Sequence, residues 1–227
     1  MPKDSKKISY NKPGFIKKVI ELNQVMWRVN AGLTSSHPYE SHPSSWLFLR
    51  RGISFWTGKK HNYVGRIYLI GNPVSWYLGA AGVLFYVGYV GLSLLIQQVH
   101  RKNKVFDVNS TYFSKGGLVF SAYFWHYFPF FIMGRQLFIH HYLPCVYFSI
   151  ILAMISLETI LKHLKPVNVI VPIIISCLSF VTFLYYSPYT YGTFMTTKHC
   201  ERMRLRSTWD WDCPYFDKNV NRLKNNK

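Results

Sequence analysis

Ionisable and polar side chains gather in one stretch, AYFWHYFPFFIMGRQLFIHHYLPCVYF, residues 122–148. Arg135 and Gln136 stand in a short link, His140 and His141 follow it, and His126 precedes it among aromatic residues. Such groups are costly at membrane depth, so a set of them within an apolar run is a candidate for function. A metal site is the weaker reading. Adjacent His140 and His141 diverge by about 100° on a helix, and no nearby carboxylate or second Cys completes a ligand set. No metal and no cofactor are expected. An anion site suits the residues better. Arg135 offers a planar fork of donors and Gln136 a neutral one. A helix starting near His141, with Pro144 in its first turn, would aim free backbone N–H groups toward Arg135. A phosphate at the membrane surface fits that constellation. The plainer alternative stands beside it: Arg135 snorkels to the interface and the histidines cap a helix.

The elements that position these groups are marked by where charge is missing. Of 227 residues, 49% are hydrophobic and 18% aromatic, while the net charge is +18. That combination excludes a disordered basic tail, and 4 Cys are too few for a disulfide scaffold. Runs of roughly 20 residues with little or no charge are candidate spans. They fall at 73–96, 117–133, 140–160 (with a late Glu158) and 167–186 (with Asn168 and Pro172). The predicted fold is an all-α polytopic membrane protein with four transmembrane helices, preceded by an amphipathic interfacial helix and a lumenal loop region. A soluble protein with buried helices is a poor account of four such runs. Nucleic-acid binding fails because the apolar runs leave no soluble basic fold of a known type. A transporter would have only Glu158 and the histidines as intramembrane ion groups.

Before the first span, Phe15, Val19, Leu22, Met26 and Val29 form one helical stripe after Pro13, with Lys17, Lys18, Glu21, Gln24 and Arg28 off it. A basic amphipathic helix close to a span lies in the interface plane or packs on a neighbouring domain. Residues 31–56, dense in Pro, Ser, His and Trp, read as an ordered loop, and Trp46, Trp56 and Trp76 suit an interfacial aromatic belt. Ser75, Gly79 and Gly82 give the first span a small-residue face on which another helix can pack. No apolar leader follows the basic start. Short loops set the orientation: Arg101, Lys102, Lys104 and Lys115 precede the second span, Lys162 and Lys165 join the third and fourth, and Arg135 is alone between them. The first two loops are then cytoplasmic and Arg135 is not, although the basic C-terminal tail argues the other way. Asn109, in the one N-glycosylation sequon, is expected to face the cytoplasm unmodified.

The run FWHYFPFFIMGRQLFIHHYLPCVYF strongly resembles the C-terminal membrane region of the protein O-mannosyltransferases, the dolichyl-phosphate-mannose–protein mannosyltransferases of the endoplasmic reticulum. Upstream, VMWRVNAGLTSSHPYESHPSSWLFLRRGISFW and IYLIGNPVSWYLG agree with that family in order, as does RLRSTWDWD late in the chain. Met26-Trp27, Asn30-Ala31-Gly32-Leu33 and Arg50-Arg51-Gly52-Ile53 look most like its second subfamily. The resemblance implies a multi-pass endoplasmic reticulum membrane enzyme with a lumenal C-terminus. It would move mannose from dolichyl phosphate mannose to Ser or Thr of lumenal proteins, with inversion. Residues 1–12 would be the end of a lumenal MIR β-trefoil. The amphipathic helix and ordered loop would occupy 13–72, the four-helix domain 73–186 and the lumenal tail 187–227. Cys200 and Cys213 would sit in an oxidising lumen where they can bridge.

The family's catalytic carboxylates are an Asp-Glu pair in an early lumenal loop, and this chain contains no such pair. No catalytic residue is therefore expected here, and Asp210 and Asp212 read as loop residues. The chain reads as the C-terminal part of the enzyme, inactive when isolated. What it would supply is the donor side: Arg135, Gln136, His140 and His141 toward lipid phosphate or sugar, with Tyr127, Phe128 and Phe131 lining the polyprenyl path. His37, Arg50 and Arg51 match lumenal family positions, either for acceptor contact or for bracing. The membrane, the donor lipid, protein acceptors and a second mannosyltransferase chain are the expected partners, with no nucleic acid. The rival reading is a non-catalytic membrane subunit that pairs with a full-length mannosyltransferase.

Overall fold

The computed structural model describes residues 12–60, 63–99 and 110–216. All but the last residue of the expected trefoil remnant, and Asn109, lie outside them. The chain divides into two units, one of residues 1–36 with 134–136 and one of 37–133 with 137–227.

In the first unit, helix α1 spans Phe15–Ala31 after Pro13 and Gly14. None of its residues is buried, and the stripe Phe15, Val19, Leu22, Met26 and Val29 is exposed throughout. Asn23 and Asn30 lie on the apolar side, and each ties its amide back to the carbonyl one turn earlier, Val19 or Met26, at 2.8 Å. This satisfies donors that an apolar surface could not.

The second unit holds the remaining elements. Short helix α2 (Pro43–Trp46) precedes strands β1 (Ile53–Lys60) and β2 (Tyr63–Leu69). Helices α3 (Pro73–Val99), α4 (Ser110–Tyr127), α5 (Leu143–Leu161), α6 (Val167–Tyr191) and α7 (Thr197–Met203) follow. The all-α expectation is corrected by β1 and β2, an antiparallel pair running from Ile53↔Leu69 to Lys60↔Tyr63 with an irregularity between Ser54 and Trp56. The β-branched and aromatic residues of ISFWTGKK and YVGRIYL favour strands. Val64, Arg66 and Tyr68, two apart, are all buried, the alternation of a half-buried strand.

Among the described residues, three helices are long and apolar enough to cross a membrane: Pro73–Val99, Val167–Tyr191, and α5 taken with the turn before it, Ile139–Leu161. The apolar run expected at 117–133 breaks differently. Helix α4 begins seven residues earlier, through Ser110, Ser114 and Lys115, and gives way to a 3₁₀ turn at Phe128–Phe131. Hydropathy locates grease, not helix ends, and Pro129 has no N–H with which to continue an α-helical ladder. A second 3₁₀ turn, Ile139–Tyr142, leads into α5, whose first turn contains Pro144. Gly192, at φ 59°, closes α6 in the left-handed conformation usual after a helix end.

Packing is led by α3 against α5. A Cβ on Gly79 would run into Ser149 of α5, and one on Gly82 into the backbone of Ala153. The small-residue face is therefore filled from within the same chain. Ser75 turns to α6 instead, bonding Ser179 Oγ at 3.1 Å, while Asn72 Nδ2 donates to the Ser179 carbonyl at 2.8 Å. Tyrosines join α4 to its neighbours: Tyr112 with Ser156 at 2.9 Å, Tyr123 with Tyr142 at 2.8 Å, and Tyr86 with the Phe113 carbonyl at 3.1 Å. Trp46 and Trp76 are not belt residues. Both are buried, and Trp76 Nε1 donates to the Trp46 carbonyl at 2.8 Å, whereas Trp56 is 40% exposed.

Gly82→Val should destabilise the protein by about 1–3 kcal/mol through overpacking. Gly88→Val, where an added Cβ meets nothing, should leave thermal unfolding in detergent almost unchanged.

Candidate functional site

Within the second unit, the 3₁₀ turn at Ile139–Tyr142 brings rings together that a continuous helix would splay. His140 and His141 stack with centroids 4.4 Å apart. Phe138 lies nearly parallel to both, at 5.7 and 6.2 Å. Beyond them, Trp46 stacks on His141 at 6.3 Å and 15°, and Phe55 approaches His140 at 6.2 Å. Divergence by a helical step therefore fails here, because both imidazoles turn onto the same aromatic shelf. His141 Nδ1 lies 2.9 Å from the Phe138 carbonyl, which fixes the ring. His37 adds an edge contact to Phe138 at 5.1 Å, and its Nδ1 accepts from the Tyr39 N–H at 3.1 Å.

Arg135 and Gln136 belong to the first unit. The Arg135 guanidinium donates to Asn30 Oδ1, and its Nε to the Gln136 carbonyl at 3.3 Å. Gln136 bonds Ser35 Oγ through Nε2 at 3.1 Å and the Leu33 carbonyl through its backbone N–H at 2.9 Å. Its amide thus joins Arg135 in a polar corner facing the C-terminal end of α1. Asn30 and Ser35 were not among the expected site residues. The signal available for Asn30 was its place in the Asn30-Ala31-Gly32-Leu33 motif.

The expected lipid-path residues divide. Phe128 and Phe131 are 44% and 43% exposed. Tyr127 packs among Tyr123, Phe131 and Tyr142 and donates its hydroxyl to the Pro43 carbonyl at 2.8 Å. Its polar end thereby ties the end of α4 to α2. His126 bonds back to the Ala122 carbonyl at 2.9 Å and rests on Phe148 at 5.2 Å.

Arg50 and Arg51 meet the C-terminal tail. Arg51 Nε donates to Asp210 Oδ2 at 2.5 Å, and the Arg50 carbonyl accepts from Thr208 Oγ1 at 2.5 Å. Asp210 lies outside the helices and strands, and its pairing with Arg51 was not anticipated. Near it lies a charge the sequence reading passed over. Arg66 is only 8% exposed and donates to the Tyr39 hydroxyl at 2.8 Å, with its guanidinium 5.5 Å from the Tyr68 ring centre. Reading β2 as a strand would have revealed it, since Arg66 shares the inward register of Val64 and Tyr68. Burial, with the Asp210 carboxylate adding to it, raises the Tyr68 pKa far above the ordinary phenol range. The tail itself is pinned by a Cys200–Cys213 disulfide with Cα atoms 5.6 Å apart. Among the described residues no group of three or more His, Cys, Asp or Glu is placed to hold a metal ion.

Comparison with known proteins matches residues 15–209 to the C-terminal four-transmembrane region of protein O-mannosyltransferase. Dolichyl-phosphate-mannose–protein mannosyltransferase 1 of Candida albicans is 36% identical over 226 residues, covering 95% of this chain and 25% of its own length. The enzyme of the same name from Saccharomyces cerevisiae is 34% identical over 239 residues, covering 99% and 28% respectively. The chain thus spans about a quarter of the curated relatives it matches. Among solved structures, the S. cerevisiae protein O-mannosyltransferase Pmt1–Pmt2 complex bound to the sugar donor superposes with a TM-score of 0.73 at 33% identity. The match covers 97% of this chain and 31% of that one. With the family pattern covering almost all of the described residues, this chain belongs to the protein O-mannosyltransferase family, to its C-terminal membrane region.

Proposed function

We propose that this chain is the C-terminal membrane part of an enzyme that transfers mannose from dolichyl phosphate mannose to Ser or Thr of proteins in the endoplasmic reticulum lumen. The observation that carries the reading is the likeness, at 33% identity over 97% of the chain, to a mannosyltransferase complex solved with its sugar donor. The base that takes the acceptor proton lies outside this chain, which has no Asp-Glu pair. What this chain contributes is the leaving-group side. As the bond from the anomeric carbon to phosphate oxygen breaks, negative charge grows on the lipid phosphate. Arg135, oriented by Asn30 and the Gln136 carbonyl, stabilises that charge with Gln136 beside it, and the assignment of His140 and His141 to the donor rests on the family resemblance alone. Phe128 and Phe131 line the way for the polyprenyl chain. His37, Arg50 and Arg51 brace the lumenal face.

The same reading makes α3, α4, α5 and α6 four spans and the tail after α6 lumenal. The loop before α4 and the link Leu161–Pro166 then face the cytoplasm. Helix α1 lies in the lumenal interface, its apolar arc turned to lipid and Lys17, Arg28 and Gln24 turned to water. A second mannosyltransferase chain is the natural partner, given that the solved relative is a complex of two such enzymes.

In the full-length enzyme, Arg135→Ala should lower mannosyl transfer about 10²-fold. Arg135→Lys should recover little of it, since a point charge lacks the planar fork. Steady-state transfer to an acceptor peptide at matched expression measures both. Normal turnover in Arg135→Ala would remove this residue from the donor side, and a full-length protein that transfers nothing would favour the non-catalytic subunit. Topology has its own check. Asn109 should remain unglycosylated while an acceptor sequon appended after residue 216 is used, read as a glycosidase-sensitive mobility shift.

A further inference from the structure

Three consecutive residues that follow α2 are each held by the C-terminal tail. Leu49 is fully buried, yet its φ is 49°, a left-handed conformation that a leucine keeps only when its surroundings impose it. Its carbonyl accepts from Trp209 Nε1 at 3.0 Å. The next carbonyl, of Arg50, accepts from Thr208, and the next side chain, of Arg51, pairs with Asp210. Arg51 Nη1 also reaches the Glu40 carbonyl at 3.4 Å, carrying the brace back toward His37.

The tail that does the holding is not a free end. Trp209 and Trp211 are 0% and 2% exposed, and the Cys200–Cys213 bridge closes the loop that carries them. Closure removes much of the entropy that a detached tail would gain. On its other side the corner runs directly into α2, whose last residue is Trp46. That ring is 0% exposed, donates Nε1 to Ser41 Oγ at 2.8 Å, and stacks on His141. A continuous set of contacts therefore leads from the disulfide loop to the histidine shelf.

We propose that Thr208, Trp209 and Asp210 are positioning residues. Clamped by the Cys200–Cys213 bridge, they lock the corner at residues 49–51 and, through Trp46, fix the His140–His141 face. The effect on catalysis rests on the mannosyltransferase reading above; the clamp stands on its contacts alone.

The test uses the full-length protein in lipid nanodiscs, with hydrogen exchange and transfer kinetics measured on Arg51→Asp, Asp210→Arg and the double exchange of the two charges. Each single variant should speed exchange at the Ser45, Leu49 and Arg50 amides about tenfold, leaving α3 and α5 unchanged, and the double variant should restore it. Paired Cys200→Ser and Cys213→Ser substitutions should speed exchange at the same amides. Transfer should lose about tenfold in kcat with acceptor KM constant, recovering in the double variant. Should Asp210→Arg fail to accumulate, Asp210→Asn replaces it, with a smaller rise expected at the same amides. Unchanged exchange in the singles, no recovery in the double, or acceleration spreading through α3 and α5 would each overturn the clamp. Faster exchange with normal kcat would overturn the positioning role. Absence of transfer by the unsubstituted enzyme would instead count against the mannosyltransferase reading, with the exchange results still deciding the clamp.

Discussion

The close approach of α3 and α5 is the contact on which the rest of the helical unit depends. Lipid tails are as apolar as leucine, so helices in a bilayer gain from packing only where their surfaces fit closely. Gly79 and Gly82 bring the backbone of α3 against Ser149 and Ala153, and the groove so made receives no bulky side chain. With α3 and α5 fixed, the tyrosines of α4 have hydroxyl partners within reach at Ser156 and Tyr142. The start of α5 is also fixed in place, and with it the Ile139–Tyr142 turn that sets the histidines.

Besides the links between the long helices, a second set of hydrogen bonds lies near the helix ends: Tyr127 to Pro43, Trp76 to Trp46, Tyr186 to Met203, Trp209 to Leu49. Each pairs an aromatic donor with a backbone carbonyl in a short helix or a loop. That pairing follows from what tyrosine and tryptophan are, a large apolar body with one polar tip. Rings fill the space between elements while their tips bond carbonyls of short helices and loops.

Much of this was legible in the residues, and the limits have physical reasons. Long runs with little or no charge revealed α3, α5 and α6 because length and hydropathy are local properties. The stripe from Phe15 to Val29 revealed α1 for the same reason. The hairpin was missed because Gly58, Lys59, Lys60, Gly65 and Arg66 interrupt the apolar pattern of its aromatic and β-branched residues. The ends of α4 were displaced because polar residues such as Ser114 and Lys115 continue a helix as readily as apolar ones. Trp46 and Trp76 were read as surface residues because one chain position cannot say what packs over it. Within the candidate site, the stacking of His140 on His141 and the tail's hold on Arg50 and Arg51 were not legible. Those contacts join positions far apart in the chain or depend on rotamers, and neither leaves a trace in spacing.

Helix α6 differs from its neighbours in having almost no inward side. None of its most apolar eighteen-residue window is buried, and only Tyr186 and Tyr189, near its end, are covered. It is moored by Ser179 to α3 and by Tyr186 to the carbonyl of Met203, more like a mast stayed by a few lines than a wall. A helix held at so few points presents its apolar flank, from Val169 to Leu184, outward, so its fit in a bilayer is set by what surrounds it and not by the rest of this unit.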